Sequence, residues 1–363
     1  MFTAMDSQHK LVLASEHTGD RQCYCPGCGE KVIFKQGVIN QAHFAHGSQS
    51  LCQTFSEGET AAHLEGKLLI YEWLKKEGIQ VELEAYLPEL NQRPDLLVRY
   101  EKDIVAIEFQ CSPISKEKIR ARTVGYVQKG IKVIWILGES LKIKRTVNSR
   151  QYPYLSVNKT GTSLLFQLDA NRQRIEVYRD IRSTPLTLRY DKDFINFTDT
   201  VESLTDIFKH KSPKHRPIRK NRRKEEKELA VLSYYKDAKA RPFFEQLYCN
   251  GMRVSTLPDV LFYSLSKEWI IKTLSYHWKL MVIVWMQGFK SYQVITRSVL
   301  ARKINEWKKA KEISFHFLPD KEEAFIILPF LEFLSLLTET GYLNEVGNEK
   351  WVCTEKPLLI MNI

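Results

Sequence analysis

Apolar and polar positions follow two periods along this chain, and the change from one to the other marks its elements. Leu64, Leu68, Tyr71 and Leu74 recur at helical spacing, which predicts a helix within EGETAAHLEGKLLIYEWLKKEG, stopped at Gly78. Leu96, Leu97 and Val98 form one short apolar run, and Ile104 to Ile107 a second. YEKD between them is a tight charged turn, so RPDLLVRYEKDIVAIEFQCS predicts two paired strands. The second run is nearly all apolar, as in a strand covered on both faces. SKEKIRARTVGYVQKG predicts a helix opened by Ser115 as a cap and closed by Gly130, and IKVIWILG a buried strand after it. Strand, helix, strand in that order favours a parallel pair with a right-handed crossover.

The periodicity divides the chain into five stretches. Residues 1–55 carry short strand-like pieces, and 56–150 the helix–strand–strand–helix–strand order. Residues 151–205 read as a β-rich extension with a hairpin in SLLFQLDANRQRIEVYRDI. Residues 206–228 are a linker, and 229–363 return to helical spacing. The last stretch ends in a helix, a turn at Gly341 and two short strands about Gly347, an order that resembles the recognition helix and wing of a winged-helix module. LSYHWKLMVIVWMQGF reads better as an ordinary core helix than as an apolar face for a partner.

Composition then narrows the setting. At 363 residues, 44% hydrophobic and 27% charged, the chain is of ordinary globular make-up with room for two or three domains. It has no apolar run of about 18 residues, so no membrane span is expected, and its first twenty residues lack the pattern of a secretory signal. Seven cysteines, odd in number and scattered, favour a reducing, cytoplasmic setting and a metal site over a disulfide framework. The net charge of +11 points first towards nucleic acid, with ribosome or anionic-membrane contact as the alternatives. Residues 209–224, KHKSPKHRPIRKNRRK, hold nine Lys or Arg and no acid, which predicts an extended arm. Arg219, Lys220, Arg222 and Arg223 are expected to meet DNA phosphates there.

Two clusters carry candidate chemistry. Cys25 and Cys28 stand as C-x2-C, followed after fourteen residues by His43 and His46. Two thiolates and two imidazoles suit tetrahedral zinc, and four protein ligands would make the site structural. The H-x2-H pair is shorter than the usual spacing, so Cys52 or Cys23 could replace one ligand. Read as a separate module, it is expected to loosen on loss of Cys25 without disturbing chemistry elsewhere.

The second cluster is Asp95, Glu108 and Gln110. Glu108 and Gln110 are two apart on one strand and share a face, and Asp95 opens the neighbouring strand. Two carboxylates plus the Phe109 carbonyl would suffice for Mg2+ or Mn2+, which polarises a phosphoryl oxygen and activates water. Glu59, His63 and Lys67 follow at i, i+4 and i+8 on the first helix and form one stripe. Glu59 could join the metal shell, His63 could transfer a proton, and Lys67 could neutralise the scissile phosphate. Taken alone, the stripe is better explained as a solvated face. Arg122 and Tyr126, another i, i+4 pair, either touch phosphate and sugar or cover the sheet edge.

CPGC…HFAH, ETAAHLEGK, RPDLLV, AIEFQCSPIS, RTVGY and IWILG, in this order, resemble the CoiA-like competence proteins of Gram-positive bacteria, with the match strongest over residues 20–140. The resemblance implies an α/β fold: a zinc-binding module, then a nuclease-like domain of the PD-(D/E)xK type with a mixed sheet. Asp95 then takes the motif aspartate, Glu108 the (D/E) position, and Gln110 replaces the lysine, while Glu59, His63 and Lys67 match the family's first-helix motif. The implied role is processing or recombining incoming DNA, single-stranded or branched, during natural transformation. The expected function is a magnesium-dependent deoxyribonuclease. The alternatives are a non-catalytic DNA-binding recombination mediator and an adaptor for recombination proteins.

Overall fold

The computed structural model describes residues 1–37, 42–50, 52, 60–144, 147, 150–157, 163–183, 188–198, 217–290, 293–318 and 322–356. Glu59 and residues 209–216 of the basic stretch lie outside the described residues. The chain divides into two compact units, one built mainly from Met1–Ser156 and Leu164–Tyr178, the other mainly from the residues after 216.

Five short strands open the first unit: β1 (Thr3–Met5), β2 (Leu11–Leu13), β3 (Cys23–Tyr24), β4 (Lys31–Lys35) and β5 (His43–Ala45). They form an antiparallel sheet in the order β2-β1-β3-β4-β5. Its core is small: Met1, Ala4, Ala14, Val32 and Phe44, with Cys23, Cys25 and Cys52. A core of this size is at the limit of what burial alone can hold, the situation in which small modules recruit a metal.

The sheet that follows is larger. Thr60 caps α1 (Ala61–Lys76) by accepting from the His63 amide at 3.3 Å, and Gly78, at φ 73°, turns the chain out of it. Next come β6 (Gln80–Leu83), β7 (Leu96–Tyr100) and β8 (Asp103–Gln110), an antiparallel meander. Ser115 caps α2 (Lys116–Gln128), Gly130 at φ 72° ends it, and β9 (Lys132–Leu137) pairs parallel with β8. The sequence pattern anticipated all of this except β6. β10 (Ser156–Val157) borders β11 (Ser163–Asp169), which joins β9 in parallel and is followed by β12 (Arg174–Ser183) and β13 (Leu188–Asn196). The strands set apart from the sequence as an extension thus continue one sheet, ordered β13-β12-β11-β9-β8-β7-β6. Phe197, just beyond β13, stacks on Trp73 of α1 with centroids 4.7 Å apart.

The two faces of β8 serve two helices. Ile107 and Phe109 pack with Leu64, Ile70 and Trp73 of α1, while Ala106 packs with Tyr126 of α2. Gly66 sets how near α1 comes. A Cβ there would stand 2.3 Å from the Phe109 ring, which explains a glycine in mid-helix despite its conformational cost. Gly66→Ala is expected to lower stability by about 1–3 kcal/mol, since Phe109 is walled in on the sheet. Urea denaturation checks this, and an unchanged midpoint would contradict it.

The second unit begins with β14 (Ile218–Arg219), α3 (Arg222–Tyr234), α4 (Arg241–Cys249) and β15 (Tyr263–Ser264), with β14 pairing β15. Then follow α5 (Ser275–Met286), β16 (Val294–Thr296), α6 (Arg297–Lys309), α7 (Glu322–Ile326), α8 (Leu328–Glu339), β17 (Leu343–Gly347) and β18 (Lys350–Cys353). The strands order β16-β18-β17. The lone strand β16 thus lies against the second strand of the closing hairpin. α8 has no Lys or Arg; its charges are Glu332 and Glu339. α5 is core, with Tyr276, Trp278, Leu280 and Ile283 buried. Among the described residues no helix is long and apolar enough to cross a membrane.

This unit corrects the reading of Arg219, Lys220 and Arg222 as part of an extended DNA-binding arm. Arg219 pairs with Asp259 at 2.5 Å, and Arg222 with Asp259 at 2.6 Å and Glu226 at 2.9 Å. The Lys220 side chain is buried, 3.8 Å from Glu225, 3.9 Å from Glu268 and over the Tyr276 ring. Asn221 caps α3 through the Lys224 amide. Acids placed downstream fold these three cations into the unit, while Arg223 is exposed.

Candidate metal centres

The N-terminal cluster is made by a knuckle after β3. The Cys25 amide donates to the Glu30 carbonyl at 2.8 Å, the Gly29 amide to the Cys25 carbonyl at 3.0 Å, and the Gly27 amide to Cys25 Sγ at 3.4 Å. Gly29 takes φ 72° to close this turn. Cys28 Sγ then lies 3.4 Å from His46 Nε2. The ligand atoms of Cys25, Cys28, His46 and Cys52 all fall within 4.8 Å of one another. Tetrahedral zinc places such donors roughly 3.4–3.8 Å apart, so the Cys3His set fits that ion. Burial pushes the Cys25 thiol up to about 12 and the His46 imidazole below its ordinary value, and three crowded thiolates would gain a counter-charge from a cation.

His43 is the correction here. It lies at the start of β5, paired with Lys35, and three residues of extended strand carry it about 10 Å from His46. Two histidines at this spacing share a ligand sphere on a helix but not along a strand. Cys52, one of the two substitutes the sequence offered, takes the fourth place; Cys23 does not join the cluster.

The second centre sits where β7 begins and β8 ends. Leu96 pairs with Ile107, so Asp95 and Glu108 come to the same end of the two strands. Asp95 Oδ2 accepts from the Phe109 amide at 2.8 Å and lies 3.4 Å from His63 Nε2, while Oδ1 is 3.3 Å from Lys67 Nζ. Burial works against its charge, but Lys67 and then His63 outweigh it and hold the carboxyl well below the usual carboxylate range. His63 and Lys67 of the α1 stripe therefore converge on Asp95. Lys67, however, is wholly buried, with Nζ 2.5 Å from Glu84 Oε1, so it acts on carboxylates and does not reach a phosphate at the surface.

Glu108 is held from α2. Its Oε2 accepts from Arg122 at 2.7 Å and its Oε1 from the Tyr126 hydroxyl at 2.6 Å. Burial pushes this carboxyl up to about 7, against the pull of Arg122. Arg122 also donates to the Arg93 carbonyl at 2.9 Å. Tyr126 is completely buried, which corrects its reading as a DNA contact; it covers the sheet and holds Glu108. Gln110 is buried and donates to the Ser112 carbonyl at 2.8 Å. Among the described residues no third carboxylate, thiol or imidazole completes a cage with Asp95 and Glu108; magnesium, which keeps several waters, needs only one or two carboxylates. Each Glu108 oxygen retains a second lone pair for such an ion. Sequence reasoning missed Glu84 and Arg93. In QVELEAY, alternate acids look like the solvated side of an edge strand.

A mixed α/β sheet preceded by a Cys/His module is the class these features define. Residues 59–212 match the family model described as the nuclease-like domain of competence protein CoiA, and residues 6–55 that of its N-terminal domain. Together the two cover more than half of the chain, and it belongs to the CoiA-like family of competence proteins. Competence protein CoiA of Bacillus subtilis (strain 168) is 40% identical over 129 residues, which are 36% of this chain and 34% of that protein. The chain thus aligns with about a third of its curated relative's length. No solved structure matches it.

Proposed function

We propose that the chain is a magnesium- or manganese-dependent deoxyribonuclease that processes incoming DNA or recombination intermediates, single-stranded or branched, in the cytoplasm during natural transformation. The observation that carries this is Asp95, kept ionised by Lys67 and His63 at the strand end where Glu108 also arrives. Asp95 and Glu108, with the Phe109 carbonyl, would hold the ion, which when bound polarises the phosphoryl oxygen and lowers the pKa of its water. Lys67 preserves the Asp95 charge. His63, partly exposed, is placed to take or give a proton beside that carboxylate. Arg122 balances Glu108 and keeps it oriented. The Cys3His cluster would carry structural zinc.

One observation favours a second reading, a DNA-binding mediator without cleavage. Gln110 brings no charge where the motif has lysine, and both Glu108 oxygens are already engaged by Arg122 and Tyr126. The two readings part on linear, single-stranded and branched DNA incubated with Mg2+ or Mn2+. Cleavage that a chelator abolishes is expected; binding with no cleavage of any of these under either ion would leave the mediator.

A further inference from the structure

The N-terminal module and the Asp95 centre meet on one carboxylate. Glu84, just after β6, has φ 54°, in the left-handed region that a residue with a side chain rarely occupies, and is 1% exposed. Its Oε2 accepts from the Phe2 amide at 2.7 Å, the Thr3 amide at 3.1 Å and the Thr3 hydroxyl at 3.2 Å. The same oxygen receives Arg93 at 3.0 Å, and Oε1 receives Lys67 at 2.5 Å. The Glu84 amide in turn donates to the Asp95 carbonyl at 2.9 Å. The left-handed turn thus aims the side chain at β1 while the backbone stays hydrogen-bonded to Asp95.

Charge makes this junction more than a structural tie. Lys67 lies between Glu84 and Asp95, so the ammonium is shared. A divalent ion at Asp95 competes with that ammonium. The better Glu84 holds Lys67, the less of it Asp95 has to give up. Three of the donors that fix Glu84, the Phe2 and Thr3 amides and the Thr3 hydroxyl, come from the module, more than eighty residues upstream.

We propose that Glu84 is a positioning residue through which the N-terminal module sets the Asp95 centre: the module's Phe2 and Thr3 amides hold the Glu84 carboxylate, which holds Lys67 partly away from Asp95. The metal arm of this inference rests on the reading of Asp95 as a metal ligand; the structural coupling does not. It replaces the expectation that the module can loosen without consequence for Asp95.

Two variants test it from opposite sides, each read by amide hydrogen exchange in the full chain. Thr3→Pro removes both Thr3 donors at the first residue of a strand, where proline is tolerated. Glu84→Gln removes the charge. Both are expected to speed exchange over 62–68 and 94–97 while strand β9, remote from the contact, keeps its protection. If both variants leave 62–68 and 94–97 as protected as in the unaltered protein, the coupling is refuted. Calorimetry with Mn2+ gives the second readout. Glu84→Gln should weaken Mn2+ binding by about tenfold, as loss of a supporting partner does, and adding Lys67→Met should restore it by removing the competitor. Loss without restoration would refute the sharing of Lys67. An unaltered protein that binds no Mn2+ would overturn the metal-centre reading and leave exchange to decide the coupling.

Discussion

Asp95→Asn is expected to lower magnesium-dependent DNA cleavage by roughly a thousandfold or more, the loss of several kcal/mol of transition-state stabilisation that follows removal of an essential ligand charge. Asparagine keeps an oxygen for the Phe109 amide, and Lys67 keeps Glu84, so the fold should survive. Glu108→Gln should reduce cleavage as severely, yet it differs in one respect. It leaves the Arg122 guanidinium against a neutral amide in a buried setting. Burial already pushes the Glu108 carboxyl up to about 7, so the fold disfavours its charge, and a neutral amide there should leave the urea midpoint close to that of the unaltered chain. Single-turnover rates with Mg2+, read beside urea denaturation of each variant, separate lost chemistry from lost fold. Asp95→Asn and Glu108→Gln proteins that both cut like the unaltered chain would remove Asp95 and Glu108 from the chemistry.

Cys52→Ser and His43→Ala should part company completely. Native mass spectrometry is expected to find one zinc per unaltered chain, one per His43→Ala chain and none on Cys52→Ser. The apparent contribution of such a site to folding is roughly 10 kcal/mol or more, far more than a sheet with so small a core can forgo. Cys52→Ser should therefore lose the ordered strands β1 to β5, visible as loss of exchange protection there. The reverse pattern, with zinc lost from His43→Ala and kept by Cys52→Ser, would restore the spacing-based ligand set.

The particular residues explain how far the sequence could be read. Ser115, Gly78 and Gly130 act through local hydrogen bonds and backbone sterics, so the bounds of α1 and α2 were legible. So were the hairpin of β7 and β8 and the parallel return to β9, which follow from short-range pattern. Cys52 was legible only as an alternative, because a ligand's place depends on whether the intervening chain is strand or helix. Arg219, Lys220 and Arg222 looked like solvated charge since Asp259 and Glu268, which neutralise them, stand far along the chain. Whether Tyr126 touched DNA or covered the sheet edge stayed open because i, i+4 spacing with Arg122 does not say which way the pair faces. Glu84 was hidden because its Phe2 and Thr3 donors lie on an element that no period connects to it.

Trp73 and Phe197 have a consequence for how the chain comes to its structure. The first unit's sheet cannot close as the protein emerges from the ribosome until β11 has been made, since β9 has no partner on its far side before then. The stacking of Phe197 on Trp73 waits longer still. In the interval an apolar strand edge stands open, the kind of edge that invites pairing between nascent chains. Shortening the protein at residue 150, where the periodicity suggests a boundary, would make that transient exposure permanent.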